Sequence, residues 1–450
     1  MTASNFWKAL KGETGGALIR TFIAKGVSAF GSLGLVVVMG QLYGPSGVGV
    51  YALAQGLLLG AGILARRGMD NALIRFVGRD YQSPQVRDYL YLAARRSLVV
   101  SLPLGVAVCL MRGHIEAFFA MPGLANVLLG IGLAIPFYTW SLILAGFFKG
   151  VRKPATAGLQ ENGAISLVAA GLLLLSGAYF PAEEQEIGHI GWVYLIAAAV
   201  IAAKGQVVIW LWLARSGAAY WQVIEPEAQH DFRAASRSFF IIGIAVFIQS
   251  VLSILIAGKL LSAGELGLFK SAQQIAISVA FVLMVINAIF PPRFASLFHE
   301  GKMEALGHTV RRAALLGLVL SSPFMLVCLL VPEWVLGLLG DGFAPAANLL
   351  RILALAQLVN VATGSVGFLL NMTGYDRIMR SIALLCNSLG LLGFILLPQW
   401  LGALGAALAL AFVLVAQNLV AMIMVWMKLG IWTLPGPNVL AWLGVKPRIR

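Results

Sequence analysis

Five cations stand inside apolar runs of this chain: Arg20, Lys25, Lys204, Lys270 and Arg351. A Lys or Arg at the centre of a membrane-spanning helix costs ~2.5–3.5 kcal/mol on insertion scales. Groups retained at that cost usually face a bundle interior or a watery cavity and mark a substrate path. Fixed positive charge in such a place suits an anionic cargo. Glu161 is the single carboxylate near a span interior. It could pair with Lys25 or Arg20, take part in proton coupling, or sit at the interface. Arg75 and Arg293 fall at helix ends, where they serve as topological anchors or as first contacts for an incoming anion.

The elements that must position these residues follow from composition. The chain has 450 residues, 60% of them hydrophobic and 11% charged. Soluble domains carry roughly 25% charged residues, so this is an all-α polytopic membrane protein. Its net charge of +14 is spread over short loops between apolar runs. A nucleic-acid binder clusters Lys and Arg on one face or tail, so no nucleic-acid partner is implied. The first apolar run, Ala17–Leu42, is too long for a cleaved signal and is expected to remain as a span.

Apolar runs long enough to span occur at Ala17–Leu42, Val48–Ala65, Leu92–Met111, Leu124–Phe148, Leu159–Phe180 and Ile190–Leu213. Six more follow at Phe239–Leu261, Leu268–Phe290, Ala313–Val331, Ala347–Asn371, Ile382–Leu397 and Ala403–Met427. Twelve spans make the loops alternate in charge. One set of loops and termini, from Lys8 and Lys11 to Lys446, Arg448 and Arg450, holds 25 basic residues. The opposite set holds Arg112 and Lys259 with seven acids, among them Glu183 and Glu184. Lys and Arg accumulate on the cytoplasmic side, which puts both termini there.

The two halves are related. "GVGVYALAQ" (47–55) aligns with "ELGLFKSAQ" (265–273) at an offset of 218, and the same offset carries Arg75-Phe76 onto Arg293-Phe294 without a gap. Six spans separate the copies, so both cross in the same direction. Parallel repeats of this kind are related by an axis along the membrane normal, with the substrate site between the bundles. The expected division is an N-terminal six-helix lobe at 1–214, a cytoplasmic linker at 215–237 and a C-terminal six-helix lobe at 238–450, around a central cavity. The linker is polar and interrupted by Pro226.

The stretch "GPSGVGVYALAQGLLLGAGILARRGMDNALIRFVG" resembles the second helix and following loop of Wzx-type polysaccharide flippases. "LLNMTGYDRIMRSIALLCNSLGLLGFILLPQWLGALGAALALA" is similar to their tenth to twelfth helices. These flippases belong to the multidrug/oligosaccharidyl-lipid/polysaccharide exporter superfamily, with the multidrug exporters and the peptidoglycan-precursor flippase. The resemblance implies two lobes opening alternately to each side of a bacterial inner membrane. Its implied cargo is an oligosaccharide on polyprenyl pyrophosphate, moved to the outer leaflet for O-antigen, capsule or exopolysaccharide synthesis. Membrane lipids, a polysaccharide polymerase and chain-length machinery are the implied company. The alternative is a multidrug or organic-cation antiporter, for which five cations and one acid within the spans are the wrong sign. A membrane glycosyltransferase or ligase is more remote. Asp-x-Asp, a Walker loop and His-Glu-x-x-His are absent, and the five histidines lack ligand spacing. No catalytic residue, metal or other cofactor is implied. Cys109, Cys328 and Cys386 read as small packing residues.

Depth separates the five cations. Arg20 lies about one turn into its helix, where it faces the cavity or snorkels to headgroups. Lys25 is expected ~12 Å along the axis at 1.5 Å per residue, and Lys204 near mid-span. Lys270 stands where the other repeat has Ala52, an asymmetric position, and Arg351 begins its span as a cavity residue or outer anchor. Gln55, Asn162, Gln206, Gln249 and Asn360 could bond sugars or neighbouring helices, and Gly56 and Gly60 allow close helix approach.

Overall fold

The computed structural model describes residues 13–83, 85–179, 186–215 and 226–436. Lys8, Lys11, Glu183, Glu184, Lys446, Arg448, Arg450, part of the expected linker (216–225) and the side chain of Gln249 lie outside the described residues. Every regular element described is helical. In an apolar medium the backbone N–H and C=O groups must be satisfied within the segment, which a helix does and an open strand does not.

The elements of the first half are α1 (13–43), α2 (45–66), α3 (Met69–Arg79), α4 (Val86–Phe119), α5 (Leu124–Gly150), α6 (Pro154–Gly158), α7 (Asn162–Tyr179) and α8 (His189–Arg215). Next come α9 (Pro226–Val246), a π-helical turn at Phe247–Leu252, and α10 (Ser253–Leu260). The remainder is α11 (Ala263–Val279), α12 (Phe281–Ile289), α13 (Pro291–His299), α14 (Met303–Leu330), α15 (Pro332–Gly337), α16 (Ala347–Thr363), α17 (Val366–Met372), α18 (376–401) and α19 (403–429). The α1–α2 break sits at Gly44 (φ 64°) and the α18–α19 break at Gly402 (φ 54°), left-handed conformations that glycine takes without Cβ strain. With those two breaks, the bent pair α11–α12 and the shorter α7, the apolar helices among the described residues resolve to twelve spans.

Two compact units emerge, Met1–Ala263 and Gly264–Arg450. In the first, α5 is the most enclosed span, with two-thirds of its apolar window buried. Glycines make that possible: a Cβ on Gly130 would stand 2.2 Å from the backbone of Gly191 in α8, and one on Gly146 2.5 Å from that of Asp70 in α3. Small residues let backbones approach where lipid supplies no hydrophobic drive. Gly56 and Gly60 of α2 work similarly, meeting Ile254 of α10 and Phe247 of the π-turn. Pro226 begins α9 rather than interrupting a linker, as suits a residue with no N–H to donate. Residues 226–237 are therefore helical, and α9 and α10 fall within the first unit.

Each unit also holds a short amphipathic helix that hydropathy alone reads as loop. In α3 the residues Met69, Ala72, Leu73, Phe76 and Val77 are buried, a 3–4 spacing, while Arg75 and Arg79 are exposed. Phe76 lies 5.4 Å from Phe232 of α9, edge to face, and 5.6 Å from Tyr89 of α4. In α13, Phe294 is fully buried with Leu306, Val310 and Leu369. The offset that aligns Phe76 with Phe294 thus aligns two residues that anchor equivalent helices.

The α2–α3 turn is fixed by its neighbour. Arg67 (φ 48°) and Gly68 (φ 74°) are both left-handed, and Ser236 Oγ of α9 donates to the Arg67 carbonyl at 2.6 Å. A Cβ on Gly68 would stand 2.4 Å from the Ser236 carbonyl oxygen and 2.6 Å from the Phe240 nitrogen, whereas around Gly374 (φ 83°) nothing lies within 4 Å. Gly374→Ala is therefore expected to cost only the left-handed strain, about 1–2 kcal/mol. Gly68→Ala should cost at least twice that, because α3 must also move off α9. Thermal unfolding of the two variants in detergent checks the order.

Candidate functional site

One carboxylate organises the basic end of the first unit. Lys25 comes from α1, Lys149 from the last turn of α5, and Glu161 immediately precedes α7. Lysine in a final helical turn complements the negative end of the helix dipole. Helices α1 and α7 run almost backbone to backbone: a Cβ on Gly163 would lie 2.1 Å from the Ser28 carbonyl oxygen, and Ser28 Oγ donates to Gly158 O at 3.0 Å. Lys25 Nζ donates to Glu161 Oε2 at 2.6 Å, and Lys149 Nζ reaches Oε1 at 2.9 Å. Both carboxylate oxygens are used. The side chains of Lys25, Lys149 and Glu161 are 39%, 40% and 23% exposed, so the cluster carries one surplus positive charge at a half-open surface.

Through Glu161, Lys25 stands level with the last turn of α5. Lys149 lies one residue before the end of an apolar helix, a position that sequence alone does not separate from a loop cation that sets topology.

The other candidates differ in surroundings. Lys204 of α8 is exposed and Lys270 of α11 half-buried; neither makes a hydrogen bond or ion pair among the described residues. Arg351 of α16 is compensated: its guanidinium meets Glu333 Oε1 at 3.0 Å and also donates to Asn348 Oδ1 and the Leu329 carbonyl. Arg20, Arg75 and Arg293 are exposed. Several polar side chains weighed as sugar ligands bond within the protein. Tyr194 OH donates to Asn162 Oδ1 at 2.6 Å, Gln55 Nε2 to Tyr51 OH at 2.8 Å, and Trp140 Nε1 to Gln206 Oε1 at 3.2 Å. Among the described residues no three His, Cys, Asp or Glu side chains are placed to hold a metal ion.

Because Glu161 has two partners, loss of one leaves the other. Lys25→Met and Lys149→Met should each destabilise by on the order of 1 kcal/mol, the range of partly exposed pairs. The double variant should lose more than the sum, since the half-buried carboxylate is then uncompensated. A double-mutant cycle on detergent unfolding reads the excess.

Residues 38–348 match the family described as polysaccharide biosynthesis protein. Comparison with curated proteins finds no match. The fold is similar to that of the lipid II flippase MurJ in an inward closed conformation, with a TM-score of 0.69, 12% identity, and 90% of this chain and 86% of that one covered. It is also similar to the MATE multidrug transporter DinF-BH, with a TM-score of 0.63, 17% identity, and 93% and 95% covered. A transporter of the MOP superfamily from Pyrococcus furiosus aligns with a TM-score of 0.53, 17% identity, and 94% and 97% covered.

Proposed function

The chain belongs to the polysaccharide biosynthesis protein family, and from that membership we propose that it is a flippase for oligosaccharides linked to polyprenyl pyrophosphate. It moves them from the cytoplasmic to the outer leaflet of a bacterial inner membrane by alternating access between two six-helix lobes, for O-antigen, capsule or exopolysaccharide synthesis. It performs no covalent chemistry. The observation that carries this reading is the sign of the compensated and uncompensated charge in the spans. Glu161 is outnumbered by Lys25 and Lys149, and Lys204 and Lys270 have no counter-ion among the described residues. A polyprenyl pyrophosphate headgroup is at least doubly anionic and needs fixed cations to cross a region of low dielectric, where charges interact strongly. An organic cation would be repelled by the same groups. The basic loops face the cytoplasm by the positive-inside rule, so the Lys25–Glu161–Lys149 cluster lies on the loading side.

The test is transport into sealed vesicles of a fluorescent oligosaccharide on polyprenyl pyrophosphate. Lys204→Ala and Lys270→Ala are expected to keep the melting temperature of the parent protein and lower the rate about tenfold, the equivalent of ~1.4 kcal/mol. Unchanged transport in both variants, or export of a cationic dye in preference to the glycolipid, would overturn the reading.

A further inference from the structure

Two adjoining clefts in the first unit lie beside the α2–α3 turn, lined by none of Lys25, Lys149 and Glu161. One, of about 330 Å³, is lined by Arg67, Arg96, His230, Arg233 and Arg237 with Met69, Ser236 and Phe240. Four guanidinium groups from three elements converge there: the α2–α3 turn, α4 and α9. Arg96 feels the like charge of Arg233, Arg67 and Arg237 at once. No carboxylate forms an ion pair with any of the four among the described residues. Arg233 Nη2 donates to Gln229 Oε1 at 2.7 Å, but its Nε is buried without a partner. A buried donor left unmade costs about 1–3 kcal/mol, more when charged, and like charges add repulsion. A fold that maintains both is suited to a ligand that removes both.

Contacts between the α2–α3 turn and α9 place the cluster. The Ser236–Arg67 bond and the contact of Gly68 with the α9 backbone fix where Arg67 emerges relative to Arg233 and Arg237. Sharing Phe240 with it is a second cleft of about 430 Å³ between α2 and α9. Its walls are mostly apolar, with Leu59, Ile63, Phe239, Ile242, Val246 and Val251, and include Asn71 and Ser250. The acid at its rim, Asp70, is already matched by Arg66. A cationic pocket therefore adjoins a largely apolar cleft, with Phe240 in the wall of both.

We propose that this pair of clefts is a docking site for a polyprenyl diphosphate, the diphosphate held by Arg67, Arg96, Arg233 and Arg237 and the first isoprene units lying between α2 and α9. The assignment rests on the glycolipid reading above and names where such a lipid first binds. Charge complementarity selects the occupant. Planar guanidinium forks bind phosphate oxygens bidentately, and four of them exceed what one phosphodiester can use. A diphosphate offers twice the anionic oxygens in a span that one pocket encloses. Ordinary acidic phospholipids at a basic pocket between helices are the rival occupant, and the experiment is built to tell the two apart.

Binding is measured on the full chain in nanodiscs with a synthetic polyprenyl diphosphate, inorganic pyrophosphate, polyprenyl monophosphate and cardiolipin. Arg67 and Arg237 are exposed, so Arg67→Gln and Arg237→Gln are expected to fold as the parent does. Each should weaken both polyprenyl diphosphate and pyrophosphate about tenfold or more, the loss of a charge-assisted hydrogen bond, while Arg237→Lys restores part of it. Ile242→Trp, which fills the apolar channel, should weaken the lipid and leave pyrophosphate unchanged. Parental affinity for polyprenyl diphosphate in both Gln variants overturns the proposal, and so does equal competition by cardiolipin. Binding needs no transport, so the two readings fail separately. Arginine-dependent binding without flipping of the glycolipid removes the flippase alone. Flipping that proceeds with unchanged concentration dependence in the arginine variants removes the docking site alone.

Discussion

A cation in an apolar bundle must be matched by an acid, by water or by a ligand, and this requirement sorts the charged residues of the protein. Arg351 is matched by Glu333, and Lys25 and Lys149 share Glu161. Such pairs hold helices in register, with modest effect on stability where they are partly exposed. Lys204, Lys270 and the arginines around Ser236 have no acid among the described residues. With 18 acids against 32 Lys and Arg, the chain has the means to compensate more of its cations than it does.

The structural acids do their work at junctions. Glu161 stands where α5, α6 and α7 follow one another, and its two lysines bring α1 and α5 to the same point. The glycine approach at Gly163 brings α1 close enough for that bond to form. At the opposite end of the unit, Lys259 of α10 donates to the Phe118 carbonyl at the end of α4 and lies 4.6 Å from the Phe118 ring. There the cation is satisfied by a carbonyl dipole and an aromatic face, with no acid needed.

Hydropathy made the twelve spans legible, because length and apolarity are fixed by the membrane itself. The breaks at Gly44 and Gly402 fall between separate apolar runs, so the count survived even where one helix continues almost directly into the next. What hydropathy could not distinguish was a charged loop from a charged helix. The sequence of α3 sets Arg75 and Arg79 beside buried Phe76 and Val77, and the helix as a whole averages to near neutral. Residues 226–237 are polar on the outside of a helix that buries Phe232, Ala235 and Ser236. In a chain this basic, Lys149, Arg67, Arg96, Arg233 and Arg237 look alike in sequence whether they set topology or converge on one carboxylate or pocket. That Glu161 would find a lysine was legible, since an isolated carboxylate near a span has few other solutions.

The repeat shows which features belong to the scaffold and which to one half only. The amphipathic helix with its buried phenylalanine occurs in both units, at Phe76 and Phe294. The offset of 218 that aligns them places Met284, Val285 and Ile286 where the first half has Arg66, Arg67 and Gly68. Accordingly, no residue from 281 to 300 takes a positive φ, and α12 passes into α13 through Phe290 and Pro291. The left-handed arginine turn and its grip on α9 are peculiar to the first unit, just as Lys270 has only Ala52 as its counterpart in the first. The buried phenylalanines are therefore scaffold shared by both units, while cations without an acid among the described residues, Arg67 in one unit and Lys270 in the other, set the units apart.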